Sequence, residues 1–157
     1  MILVLFTLLL LLSSCARIIV YTDPLTSEEH VNLGYIYEKQ GKIELAREEY
    51  KRAIRKDRKN WIAYYNLGNI YAKEENWERA EELYLGALEI KRDPDLLNNL
   101  AYVLNKKGDH CLALKLIEEA LIKAQRAEYM QTKEEIKNTI ERKKVECLSF
   151  EREGELW

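Results

Sequence analysis

The chain has 157 residues, of which 33% are charged and 47% hydrophobic, and its formal net charge is -2. These values exclude a disordered charged tail and a polytopic membrane protein, and the nearly cancelled charge gives no signal for nucleic-acid binding. Only six glycines and two prolines occur in the sequence, which indicates a mostly helical protein with few breaks.

The first sixteen residues, MILVLFTLLLLLSSCA, carry no charge, and the first charged residue is Arg17. An apolar run followed by small residues is typical of a secretory signal. The sequence LSSC at 12–15 resembles the signal of bacterial lipoproteins, in which an aliphatic residue and two small residues precede a cysteine. This resemblance implies a signal peptide over 1–14, acylation of Cys15 and a linker over 15–26.

Lipoprotein signals usually begin with Lys or Arg, and none precedes the apolar run here. The alternative is an uncleaved anchor from Ile2 to Tyr21, because twenty helical residues span about 30 Å. Either interpretation predicts that the remaining chain lies at a membrane surface. For a lipoprotein, Ala16 stands where an aspartate would retain the protein in the inner membrane. By the sorting rule of enteric bacteria, this favours the periplasmic side of the outer membrane.

A short phrase recurs in the next part of the chain, as NLGYIY at 32–37, NLGNIY at 66–71 and NLAYVL at 99–104. The steps are 34 and 33 residues, and a phrase at a fixed step indicates a stacked structural unit. Six aligned series keep these steps. They are Leu33, Leu67 and Leu100; Gly34, Gly68 and Ala101; Tyr37, Tyr71 and Leu104; Ala46, Ala80 and Ala113; Tyr50, Tyr84 and Ile117; and Ala53, Ala87 and Ala120.

The spacing within each unit predicts two helices. In the first copy, Gly34 and Tyr37 lie one turn apart on one helix, and Ala46 and Tyr50 lie one turn apart on a second. Gly41 between them suits a helix end. The small residues let the two backbones approach, and the large residues fill the neighbouring space. Because such a pair can bury its apolar face only against another pair, we predict an all-α solenoid.

The pattern Leu-Gly-x-x-Tyr, followed by Ala-x-x-x-aromatic and a further Ala, resembles the tetratricopeptide repeat. The resemblance covers about residues 27–126 and implies three helix pairs, over 27–60, 61–93 and 94–126. One departure is that the first-helix tryptophan of this family is replaced in all three copies.

Residues 127–157 depart from the repeat and predict a capping helix and a tail. The sequence TKEE at 132–135 has the form of a capping box that opens a helix, and Ile136 and Ile140 give that helix an apolar stripe. A half-polar helix of this kind would close the last apolar face of a solenoid. The alternative is one unbroken helix over 109–148, because no Gly or Pro interrupts this stretch.

Cys111 and Cys147 are the two thiols that remain once Cys15 is acylated. The oxidising compartment of an exported chain favours their pairing. A helical hairpin with its midpoint at residue 129 would bring them level, and a disulfide would then lock the terminal helix onto the last repeat. In an unbroken helix they would lie far apart, so two free, buried cysteines are the alternative.

No sequence motif for catalysis or metal binding stands out. The two histidines, His30 and His110, belong to different repeats. His30 occupies a core-facing repeat position, and His110 beside Cys111 lacks the further ligands that a metal site needs. Because the carboxylates follow helical surface spacing, we expect neither enzyme activity nor a cofactor. The expected partners are other proteins, and no nucleic acid.

In tetratricopeptide proteins, the inner faces of the first helices form a concave groove that holds peptides. The resemblance implies that asparagines there contact a peptide backbone, that tyrosines offer flat apolar surface, and that lysines line one edge. The implied groove residues are Val31, Tyr35 and Lys39 from the first copy, Tyr65, Asn69 and Lys73 from the second, and Asn98, Tyr102, Asn105 and Lys106 from the third.

Chaperone-binding members of this family hold a terminal carboxylate with a Lys/Asn/Arg clamp. At the clamp positions of this chain Asn66 alone matches, and Asp95 would repel a carboxylate. The resemblance to lipid-anchored repeat proteins instead implies an interaction scaffold of the cell envelope, used in assembly of pili, secretion systems or outer-membrane proteins. The alternative is a binding module for a small or polymeric envelope ligand.

Overall fold

The computed structural model describes residues 23–147 of the chain. Within this range it contains seven helices and no strand. The helices are α1 (Ser27–Lys39), α2 (Ile43–Lys56), α3 (Trp61–Lys73), α4 (Trp77–Ile90), α5 (Pro94–Lys107), α6 (His110–Lys123) and α7 (Ala127–Lys143). The predicted signal segment, Cys15 and the tail from residue 148 lie outside the described residues. None of the helices described is both long and apolar enough to cross a membrane.

Each of the three helix pairs begins at a side-chain cap. The hydroxyl of Thr26 accepts a hydrogen bond from the amide of Glu29, whose carboxylate accepts from the Thr26 amide at 2.7 Å, so α1 opens with a capping box. Asn60 caps α3, and Asp93 followed by Pro94 caps α5. Because the caps follow the 34- and 33-residue steps, the helix pairs keep the register of the sequence repeat.

The helices pack in chain order, and the stack curves toward one side. Each helix from α1 to α6 contacts the next helix along the chain. Contacts also join α1 to α3 and α3 to α5, whereas among the described residues none of this kind joins α2 to α4 or α4 to α6. The first helices of the pairs therefore line the inner, concave face, and the second helices form the outer face.

A glycine brings the two helices of the first pair into close contact. A Cβ atom on Gly34 would lie 2.6 Å from Cε1 of Tyr50, which is fully buried, and the aligned pair in the second repeat gives the same distance. In the third repeat Ala101 replaces the glycine, and the smaller Ile117 replaces the tyrosine. The two positions thus change together, as close packing requires.

The terminal helix begins earlier than the sequence predicts. The chain breaks at residues 124–126, and α7 starts at Ala127. Thr132 lies inside α7, where its hydroxyl donates to the carbonyl of Glu128. The predicted capping box at 132–135 is therefore wrong, because these residues belong to the helix surface. The alternative of one unbroken helix is wrong as well.

The terminal helix α7 is held against the last repeat by packing and polar contacts. Tyr129 and Ile136 are fully buried in the core that α4, α5 and α6 share. The hydroxyl of Tyr129 donates to Asp95 on α5 at 2.5 Å, and Lys133 pairs with Glu118 on α6 at 2.8 Å. The outer side of α7 is largely exposed and polar, so this helix closes the stack.

The structure joins Cys111, at the start of α6, to Cys147, which follows α7, in a disulfide with the two Cα atoms 5.4 Å apart. The two helices are antiparallel, which brings the cysteines level although the turn lies at 124–126 instead of residue 129. The left-handed conformation of Lys144 ends α7 and leads the chain to Cys147. Pairing of these cysteines in the cell stays a prediction.

The contact at Gly34 predicts a cost for a single added methyl group. Gly34→Ala gains up to about 1 kcal/mol of helix propensity, but its Cβ would overlap a buried aromatic ring, and overpacking costs about 1–3 kcal/mol. We expect a net loss of stability in a denaturant titration. The double variant Gly34→Ala/Tyr50→Ile, which copies the third repeat, should recover part of the loss. A double variant less stable than Gly34→Ala would contradict this account.

The disulfide predicts a redox-dependent stability. Replacing both cysteines, Cys111→Ser with Cys147→Ser, should lower the free energy of unfolding by about 2–4 kcal/mol, because the crosslink limits the entropy of the unfolded chain. Denaturant unfolding with and without reductant measures this difference. Reductant should destabilise the native chain and leave the double variant unchanged. If reductant left the free energy of unfolding of the native chain unchanged, packing alone would hold α7 in place.

Candidate protein-binding groove

Two exposed tyrosines stand on the concave face, Tyr35 on α1 and Tyr102 on α5, with 52% and 37% of their surface exposed. Each carries a lysine over its ring. The Nζ atom of Lys39 lies 5.1 Å from the ring centre of Tyr35, and that of Lys106 lies 4.9 Å from the ring centre of Tyr102. The i, i+4 spacing on a helix produces this contact. Each pair therefore offers a flat aromatic surface with a positive charge at its rim.

Of the three aligned lysines predicted at the groove edge, the middle one is arranged differently. Nζ of Lys73 on α3 lies 2.6 Å from Oε1 of Glu38 on α1, and the hydroxyl of Tyr50 donates to the other oxygen of Glu38 at 3.1 Å. The aligned position of Glu38 is Ala72 in the second repeat. The three lysines thus lie in register, but a carboxylate offsets the charge of the central one.

A cavity of about 400 Å³ opens on the concave face between α3 and α5. Its lining is about equally polar and apolar and comes from two neighbouring repeats. The lining residues are Asn69, Ala72, Lys73, Tyr84, Asn99 and Tyr102.

An amide network forms the floor of this cavity. The Nδ2 atom of Asn99 donates to Oδ1 of Asn69 at 2.9 Å and to the hydroxyl of Tyr65 at 3.2 Å. The hydroxyl of Tyr84 also donates to Oδ1 of Asn69, at 2.7 Å. Burial raises the pKa of the Tyr84 phenol above its ordinary value, so this hydroxyl keeps its proton. The amide nitrogen of Asn69 carries two N–H donors, of which one can be directed to the nearby Tyr65 hydroxyl, so a donor remains at the cavity lining.

One series of predicted groove residues lies beneath the surface. Val31 is 8% exposed and packs in the core of the first two repeats. Tyr65 is half-buried against the rings of Trp61 and Tyr84. Asn98 donates to Asn99, and its own Oδ1 atom is buried without a partner among the described residues. These aligned positions lie at the contact between helices, so they support the groove and do not present their side chains to it.

Asn105 also lies away from the cavity, because its Oδ1 atom is 2.7 Å from Nδ1 of His110 at the corner between α5 and α6. Three cavity residues were absent from the predicted groove, Ala72, Tyr84 and Asn99. The asparagine of the repeated phrase, at 32, 66 and 99, was a signal for Asn99 in the sequence. The sequence predicts that Tyr84 is a core residue, and no signal in it indicates that the hydroxyl of this buried ring reaches the cavity.

The histidines have polar packing contacts. His30 is fully buried, with Nδ1 2.6 Å from Glu49 and Nε2 2.9 Å from Asp23. Burial and the nearby Lys143 lower the pKa of His110, so its imidazole is neutral near pH 7. Across residues 23–147 no group of three acidic, histidine or cysteine side chains is placed to hold a metal ion.

A comparison with protein families finds a match over part of the chain. Residues 31–96 match the family model described as Tetratricopeptide repeat. This match runs from α1 to the first turn of α5 and includes the α3 side of the cavity. No curated protein matches the sequence.

Solved structures with tetratricopeptide domains resemble this fold. The first tetratricopeptide domain of Spaghetti (RPAP3), bound to the HSP90 peptide SRMEEVD, has a TM-score of 0.71 at 18% identity, over 78% of this chain and 98% of that one. The Arabidopsis OM64 domain has a TM-score of 0.67 at 17% identity, over 71% and 94%. The N-terminal domain of stress-induced protein-1 from C. elegans has a TM-score of 0.61 at 20% identity, over 71% and 94%. At these identities the likeness shows the fold alone.

Proposed function

We propose that this chain is a protein-binding scaffold that holds an extended segment of a partner protein in the groove lined by α1, α3 and α5. The observation that carries the proposal is the amide donor of Asn69 at the cavity, fixed by Tyr84 and Asn99. A donor on a rigid polar floor suits the carbonyl of an extended backbone. The Spaghetti domain, which has a similar fold, is bound to a peptide, and this supports the same kind of use here.

The side walls of the groove support a preference for certain partner side chains. Tyr35 and Tyr102 offer flat surface for apolar groups, and the lysines over their rings favour acidic neighbours in the partner. Asp95 stands at a position of the terminal-carboxylate clamp, where it is paired with Arg126 and accepts a hydrogen bond from Tyr129, each at 2.5 Å, so this position offers no cation to a terminal carboxylate. We therefore propose that the ligand is an internal segment and not a chain terminus.

We further propose that Cys15 carries lipid and holds the repeats at the periplasmic side of the outer membrane. The LSSC sequence before Ala16 supports this placement. Seven residues separate Cys15 from Asp23, where the described chain begins. At about 3.4 Å per residue, this linker reaches at most about 25 Å. The scaffold would then serve assembly of an envelope complex, such as a pilus, a secretion system or the machinery for outer-membrane insertion.

The alternative of a module for a small or polymeric envelope ligand has less support. It would be favoured by a dry aromatic pocket, whereas the cavity is open and is lined by two asparagines and a lysine beside its two tyrosines. The uncleaved anchor over residues 2–21 places the groove at the same membrane surface, so the binding proposal does not depend on cleavage.

The groove proposal predicts where a partner crosslinks. A photo-crosslinking amino acid in place of Ala72, at the cavity, should give an adduct in intact cells that maps to one internal segment of a partner. Adding Asn69→Ala or Tyr102→Ala should reduce the adduct about tenfold, which corresponds to about 1.4 kcal/mol. Circular dichroism should show retained helicity in both variants.

The matched control for this experiment is the same crosslinking amino acid in place of Leu45. This residue is 48% exposed on α2, the outer helix of the first pair, and it does not line the cavity. Equal adduct yields at Leu45 and Ala72 would contradict the groove proposal. An adduct at Ala72 that neither Asn69→Ala nor Tyr102→Ala reduces would also show that the binding face lies elsewhere.

The anchor proposal predicts fatty-acid labelling of the chain. Metabolic labelling should mark the native chain, and Cys15→Ala should abolish the label, because this thiol is the acceptor. The variant with Cys111→Ser and Cys147→Ser is the control and should keep the label. Labelling that survives Cys15→Ala would contradict acylation at this residue.

A further inference from the structure

At the N-terminal end of the solenoid, the apolar stripe formed by Leu33 and Ile36 on α1 is not covered by any described helix. Ile36 is 49% exposed, whereas its repeat counterparts Ile70 and Val103 are 1% and 0% exposed. Leu33, one turn before Ile36, is half-buried, while its two counterparts are 4% and 0% exposed. Because the same position is buried in the other two copies, the exposure of Ile36 shows that α1 lacks a packing contact that α3 and α5 have.

The counterparts are buried by the helix that precedes them in the chain. Ile70 on α3 shares a core cluster with Tyr50 and Ala53 of α2. Val103 on α5 shares a cluster with residues of α4. No described helix precedes α1. The open stripe therefore faces the place that a preceding segment would occupy.

The linker before α1 shows that the repeat register continues to its first described residue. Residues 23–26 repeat the linker 57–60. In each linker the first residue is an aspartate whose Oδ1 atom accepts a hydrogen bond from the amide two residues on, at 3.1 Å and 2.8 Å. In each, the fourth residue caps the following helix. Because Asp57 is the C-cap of α2, Asp23 lies where a preceding helix would end.

Two further contacts fix the chain at Asp23. Nζ of Lys56 donates to the carbonyl of Asp23 at 2.6 Å. The carboxylate of Asp23 lies 2.9 Å from Nε2 of His30. The His30 ring is fully buried, and its Nδ1 atom contacts Glu49. Asp23 is therefore held at a defined point beside α1.

We propose that residues Ile18–Tyr21 cover the open stripe of α1, in the way that the last turns of α2 cover α3. These four residues are all apolar and end two positions before Asp23. One repeat step back, Ile19 and Val20 align with Ala53 and Ile54, which pack in the core of the first two repeats. This surface lies on a different side of α1 from the groove, so the inference is independent of partner binding.

Cysteine crosslinking in intact membranes tests this contact in the full chain. Each residue of Ile18–Tyr21 is changed to cysteine in turn, together with Ile36→Cys, and treated with a short bismaleimide. At least one pair should give a crosslink within a single chain, identified by mass spectrometry of the joined peptides. The matched control is Tyr35→Cys, which is similarly exposed on the same helix but faces the groove. It should give at least tenfold less crosslink.

The other possible occupants give different outcomes, and each would overturn the proposal. A crosslink between the Ile36→Cys residues of two chains would show that a second copy covers the stripe. Maleimide labelling of Ile36→Cys that appears only after detergent removes the bilayer would show that lipid covers it. Labelling by a soluble maleimide at the rate of Tyr35→Cys, with no crosslink, would show that the stripe is open.

Discussion

The close contact between a glycine on one helix and a tyrosine ring on the next is the constraint on which the other contacts depend. With the ring of Tyr50 against the backbone at Gly34, no Cβ atom fits between the two helices. The separation within each pair is therefore set by a side chain that is itself fully buried. Since each pair stacks on the next through the same face, this spacing is carried along the solenoid.

The same contact links the core to the concave surface. The ring of Tyr84 packs where Gly68 leaves room for it, and its hydroxyl extends past the helix to Asn69. A tyrosine can do this because its apolar ring and its polar tip occupy different environments. The orientation of the Asn69 amide thus depends on core packing.

The repeated positions made the helix pairs predictable from the sequence, because the leucine, small-residue and tyrosine series all keep one step. The start of α7 was not predictable in the same way, since TKEE is compatible both with a cap and with a helix surface. The site was predictable only in part. Tyr35, Tyr102 and the lysines follow from the groove positions that the family resemblance implies, whereas the burial of Val31 and the reach of Tyr84 depend on how neighbouring helices meet.

The polar outer side of α7 has a consequence for assembly between molecules. In a solenoid with two matching apolar ends, the first helix of one molecule can stack on the last helix of another, and such head-to-tail contacts propagate into filaments. Here the last apolar face is covered by α7, which a disulfide joins to α6. Among residues 23–147, the stripe at Ile36 thus has no matching apolar surface at the other end of a second molecule. We infer that the terminal helix disfavours head-to-tail assembly of the chain.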